Sequence, residues 1–111
     1  MKCRRLTAWP ILEQQMEILV TYDVNTETAE GRKRLRRVAK ACQAFGQRVQ
    51  KSVFECTLNQ AQLERLKRRL EKEMDKNQDS LRIYHLPEPR SKCVEVMGVP
   101  LVHDMHEPLV L

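Results

Sequence analysis

The stretch "MEILVTYDV", residues 16–24, decides the fold. Ile18, Leu19 and Val20 are strand formers, and the polar run "NTETAEG" bounds them. Successive side chains of a strand alternate between faces, so Ile18, Val20 and Tyr22 share one side and Leu19, Thr21 and Asp23 the other. Both sides are mostly apolar, which predicts a central strand over 17–24, covered on both faces. A carboxylate, Asp23, stands at its end.

The next segment, "AEGRKRLRRVAKACQAF" (29–45), reads as a helix. Leu35, Val38, Ala39, Cys42 and Phe45 fall on one stripe of a 3.6-residue period. Glu27 and Glu30 favour its N-terminal end, and Gly46 is a stop signal. "QRVQKSVFECTL" (47–58) predicts one or two strands, with a hairpin or bulge near Lys51. Asn59 is an N-cap for a second helix over about 60–76, whose stripe is Leu63, Leu66, Leu70 and Met74. On its solvent side Glu64/Arg68, Lys67/Glu71 and Arg69/Glu73 are spaced for i,i+4 pairs. "DSLRIYHL" (79–86) predicts a strand, "PEPRSK" a turn, and "CVEVMG" (93–98) a further strand.

The order is therefore β-α-β-β-α-β with an additional C-terminal strand and tail, an α+β, ferredoxin-like pattern with two helices on one face of an antiparallel sheet. The other face is left bare although the first strand is apolar there too, which predicts an interface. The expectation is a symmetric homodimer packed sheet to sheet, the tail reaching across.

Of the 111 residues 41% are hydrophobic and 32% charged, which suits one globular domain and excludes a disordered chain. The formal net charge of +5 tilts the choice of partner toward polyanions, nucleic acid first. Cys3, Cys42, Cys56 and Cys93 form no CxxC pair and have no histidine at zinc-finger spacing, so they read as reduced thiols of a cytoplasmic protein. No apolar run approaches the roughly 20 residues of a membrane span. Residues 1–15, "MKCRRLTAWPILEQQ", carry basic residues before a short apolar stretch, but Trp9-Pro10 interrupts it and no cleavage site follows. They read as an extension, which an upstream start codon would explain, to a domain spanning 16–111.

Two candidate sites stand out. If a two-fold axis passes near the ends of the first strands, Asp23 meets its own copy, and a divalent cation would relieve the repulsion. The same residue at a strand end equally caps the loop "DVNTET" through an Asx turn, and the residues alone leave both readings open. On the first helix, Arg32, Lys33, Arg36, Arg37 and Lys40 make a cationic face, with Arg48 and Lys51 close in sequence. Such a face tracks phosphates or is simply solvated. Only Trp9, Tyr22, Phe45, Phe54 and Tyr84 are aromatic, so backbone binding with little base readout is expected. His85, His103 and His106 match no ligand spacing, and no Gly-rich phosphate loop or zinc motif is present.

"ILVTYDV", "GQRVQKSVFEC" and "DSLRIYHL" together resemble the CRISPR-associated protein 2 family, and "KACQAFGQRVQ" and "EPLVL" resemble its type I-C members most closely. The resemblance covers about residues 16–111. It implies a ferredoxin-like homodimer and partnership with the CRISPR integrase subunit in spacer acquisition. It also implies a nuclease activity on RNA or DNA dependent on Mg²⁺ or another divalent cation such as Mn²⁺. By position, Asp23 matches the family's metal-binding aspartate, shared between protomers, and Tyr22, Arg48, Ser52 and Phe54 match the motif residues around it. Two readings follow: a metal-dependent endonuclease, or a non-catalytic dimeric adaptor that holds duplex DNA and bridges integrase subunits. A toxin-like ribonuclease of the same fold is a more distant third.

Overall fold

The structure is a computed structural model and describes residues 14–87 and 89–98. Most of the N-terminal extension, with Cys3 and Trp9, and the tail with His103 and His106 lie outside those residues. Four strands, β1 (Met16–Asp23), β2 (Gly46–Gln50), β3 (Val53–Leu58) and β4 (Ser80–Leu86), alternate with helices α1 (Ala29–Gln43) and α2 (Gln60–Glu73); a short turn of helix, α3 (Arg90–Cys93), follows. The sheet order is β2-β3-β1-β4 and every pairing is antiparallel. This is the ferredoxin-like arrangement, with β1 at the centre as its apolar sequence predicts.

The alternation along β1 sorts the core. Ile18, Val20 and Tyr22 are buried with Phe54, Cys56 and Leu58 of β3. Against them pack Val38, Ala39, Ala41 and Cys42 of α1 and Leu63, Leu66 and Leu70 of α2. Each large side chain so buried contributes about 1.5–3 kcal/mol. Both helices thus lie on one face of the sheet. The described residues leave the other face of β1 open: Leu19 and Thr21 are half-buried and Asp23 is exposed, so among them the expected cover on both faces is half met. Burial also pushes the Cys42 thiol up to about 12, which leaves it an uncharged core residue.

Helix ends follow local chemistry. Thr28 caps α1, its Oγ1 accepting from the Gly31 N–H at 3.0 Å, with Glu30 in the first turn. Asn59 and Gln62 form a reciprocal capping box at α2, each bond 2.8 Å long. Gly46 is not the terminator expected of it. The helix has already ended at Gln43, and Gly46 opens β2, where a Cβ would collide with Cys56 Sγ and the Glu55 carbonyl. The hairpin and the bulge both form: β2 turns into β3 at Lys51 and Ser52, and the register slips between Arg48 and Gln50.

Two further expectations fail. Residues 93–98 form no strand; Arg90–Cys93 is helical and the following stretch is unpaired, with Val96 70% and Met97 90% exposed. Alternating apolar residues favour a strand only where a sheet edge is available, and none of the described strands pairs with this segment. The i,i+4 pairs on α2 are replaced by Glu64–Lys67, Glu73–Arg37 and Glu71–Lys76, at 3.8–3.9 Å.

Candidate functional site

Tyr22 fixes the direction of its neighbour. Its ring is buried and stacks on Phe54, centroids 6.2 Å apart, and the Arg48 guanidinium carbon sits 5.2 Å from the centre of the same Phe54 ring. The Tyr22 N–H donates to the Ser52 carbonyl at 3.1 Å, and its hydroxyl reaches the Lys51 carbonyl at 3.4 Å. Burial pushes that hydroxyl above its ordinary pKa, with Arg48 pulling the other way. With Tyr22 turned into the core, Asp23 must face the open side.

Of the motif residues expected around Asp23, the structure brings Tyr22, Phe54 and Arg48 together with one another but on the helix-covered face. Ser52 joins the group through its backbone. These four support the strand end from behind. The recess beside the carboxylate, about 280 Å³, is lined by Thr21, Tyr22 and Asp23 of β1 and by Ser80, Arg82 and Tyr84 of β4. Ser80 pairs with Asp23 and Arg82 with Thr21 across the ladder, and Arg82 Nη1 donates to the Tyr84 hydroxyl at 3.0 Å. The donors are one carboxylate and several hydroxyls. Such oxygen ligands suit a hard cation that keeps most of its waters. Among the described residues no three His, Cys, Asp or Glu side chains converge into a closed metal cage.

Behind the recess lies a buried carboxylate that the sequence reading missed. Asp79, with a fully buried side chain, accepts from the Asn25 N–H at 3.1 Å, the Asp75 N–H at 2.8 Å and Arg34 Nε at 2.9 Å. Burial alone would raise its pKa, but Arg34 and the two backbone donors outweigh that and hold it below the ordinary carboxylate range. Asn25 follows Asp23 by two residues and Asp79 precedes Ser80, so this one carboxyl ties together both strand ends that make the recess. Strand pairing would have found Ser80, Arg82 and Tyr84, since an antiparallel β4 beside β1 sets "SLRIY" against "LVTYD". Nothing local marks Asp79.

The α1 cations lie elsewhere. Arg32, Lys33, Arg36, Arg37 and Lys40 are exposed on the solvent side of the helix layer, across the sheet from Asp23. Arg32 donates to the Thr26 carbonyl at 3.2 Å and Arg37 approaches Glu73 at 3.8 Å. The stripe exists, but the fold does not bring it to the carboxylate. Among the described residues no helix is long and apolar enough to cross a membrane.

Comparison with known proteins fits this geometry. The chain is 59% identical over 96 residues to the CRISPR-associated endoribonuclease Cas2 1 of Moorella thermoacetica, a match covering 86% of this chain and 100% of that protein. It is 50% identical over 95 residues to the CRISPR-associated endonuclease Cas2 of Halalkalibacterium halodurans, covering 86% and 99%. The crystal structure of Streptococcus pyogenes Cas2 at pH 6.5 superposes with a TM-score of 0.68 at 53% identity, over 75% of this chain and 100% of that one. The family model described as CRISPR associated protein Cas2 matches residues 16–93, and the chain belongs to that family.

Proposed function

We propose that this chain is a metal-dependent endonuclease that hydrolyses phosphodiester bonds of RNA or DNA, with Asp23 as its metal-binding residue. The observation that carries the reading is Asp23 itself, an exposed carboxylate on a fixed strand end, beside hydroxyls and the Arg82 cation. The names of its relatives as endoribonucleases and endonucleases support the reaction class. Bound there, Mg²⁺ or Mn²⁺ would supply Lewis-acid chemistry at a phosphoryl group. Asp23 would hold the cation, and Arg82, steadied by Tyr84, would meet the substrate's phosphate charge. Tyr22, Phe54, Arg48 and Ser52 keep the strand end rigid. The chain would act as a homodimer in the cytoplasm, its open sheet face covered by a second copy whose Asp23 completes the oxygen set. The half-buried Leu19 and Val53 and the 43% exposed Tyr84 on that face support this. Its family domain would begin at Met16.

A second reading has its own support. The α1 stripe faces away from Asp23, so duplex backbone held there would not reach the carboxylate of the same chain. That separation favours an adaptor that grips duplex DNA and bridges CRISPR integrase subunits during spacer acquisition. Asp23→Asn separates the two: the nuclease reading requires cleavage of labelled RNA and DNA to vanish, and the adaptor reading requires spacer acquisition to survive.

A further inference from the structure

A second cationic surface lies on α2. Arg65, Arg68, Arg69 and Lys72 recur at i, i+3, i+4 and i+7, one face of the helix. With Phe45, from the turn between α1 and β2, they line a recess of about 530 Å³, a size within the range of ligand sites.

Among the described residues the charges in this recess have no ion-pair partner. The acids of α2 are all engaged elsewhere: Glu64 with Lys67, Glu71 with Lys76 and Glu73 with Arg37. Like charges at i,i+4 on a helix repel one another weakly, and an anion seated among them would offset that repulsion. Phe45 is half-buried, packed on the core from one side and lining the recess on the other.

We propose that this recess binds an unpaired strand of nucleic acid, its phosphates on the four cations and a base against Phe45. A cationic groove with an aromatic platform is the arrangement by which proteins hold single strands, and guanidinium planes add stacking of their own. The stripe from Arg65 to Lys72 rises ~10 Å along the helix, more than one phosphate occupies, which favours a strand over a free nucleotide. The proposal does not depend on Asp23, which lies across the sheet.

The test is fluorescence anisotropy on the full chain, with a labelled oligothymidylate about twelve nucleotides long and, separately, a labelled duplex. Phe45→Leu keeps an apolar plug and removes the ring; it should weaken single-strand binding about fivefold or more, since stacking contributes about 1–3 kcal/mol per base. Phe45→Trp should restore it, and duplex binding should be unchanged in both. Arg65→Gln with Arg68→Gln should flatten the single-strand salt slope by roughly 1.4, about 0.7 for each phosphate left without its cation. Wild-type affinity in Phe45→Leu together with an unchanged slope in the arginine variant would overturn the proposal. So would displacement of the strand by polyglutamate, or by ATP at equal phosphate concentration, as readily as by unlabelled oligothymidylate. Asp23→Asn should bind the oligonucleotide like wild type, so failure here is distinct from failure of the nuclease reading.

Discussion

Asp79 and Arg34 form a buried ion pair, Arg34 Nε donating to Asp79 Oδ2 at 2.9 Å although 45 residues separate them in sequence. The pair sits where three segments meet: α1, the loop leaving β1 and the loop entering β4. A buried charge is costly unless fully paired, and Asp79 is paired on every side, by Arg34 and by the backbone N–H groups of Asn25 and Asp75. Its structural effect is to fix the two strand ends that carry Asp23 and Ser80.

Acid should therefore loosen this corner first. Burial works against the Asp79 charge, but Arg34 and the backbone donors prevail and lower its folded pKa. An unfolded aspartate titrates near 3.9; this stabilisation is fully present above that value and is lost as pH falls through the lower folded one. Melting temperature measured from pH 7 down to pH 2 should fall in the wild type below about pH 4. Asp79→Asn should melt lower at pH 7 but lose less on acidification. Parallel curves for the two proteins would show that the pair does not govern acid stability.

Asp23→Asn should remove cleavage of both RNA and DNA in Mg²⁺ or Mn²⁺, and chelation by EDTA should do the same to the wild type. The fold should not notice, because the side chain is exposed and such surface changes stay within about 0.5 kcal/mol. Unaltered turnover in the variant, with purity checked by mass spectrometry, would move the metal site elsewhere.

The cations of α1 should reveal themselves through salt. Arg36→Ala with Lys40→Ala removes two exposed cations and leaves Arg37 on Glu73. Duplex affinity should drop for every sequence alike, and the log–log salt slope should flatten by about 1.8, roughly 0.9 for each phosphate no longer neutralised. If affinity and slope both match the wild type, the face is solvated and nothing more.

Periodicity made most of this fold legible. Ile18, Val20 and Tyr22 against Leu19, Thr21 and Asp23 set the orientation of β1, and Leu63, Leu66 and Leu70 set that of α2, because burial follows spacing alone. Asn59 announced its cap for the same local reason. What stayed hidden needed long-range partners. "CVEVMG" alternates like a strand whether or not an edge awaits it. Glu73 is spaced for Arg69 yet lies nearer Arg37 on the neighbouring helix, and Asp79 looks like an ordinary strand-start residue until Arg34 arrives. At the candidate site, Asp23 was visible as an oddly placed carboxylate, while its neighbours Ser80, Arg82 and Tyr84 came only with the register of β4.

At Gly31 two effects of opposite sign compete. The residue lies in the first turn of α1, where alanine would ordinarily stabilise a helix by about 0.5–1 kcal/mol. A Cβ there, however, would collide with the Asn25 carbonyl oxygen and press on Asn25 C at 3.0 Å and Thr26 Cα at 3.3 Å. These are backbone atoms of a loop already tied to Asp79, so they cannot rotate aside as a side chain would. Overpacking of this kind costs typically 1–3 kcal/mol, which exceeds the propensity gain. Gly31→Ala should therefore lower stability in urea by about 1 kcal/mol or more. Because the displaced loop begins just after Asp23, it should also reduce cleavage beyond what the loss of folded protein explains. A variant as stable as wild type, or more so, would mean that the β1–α1 loop yields easily and that the Asp79 tie is weaker than its geometry indicates.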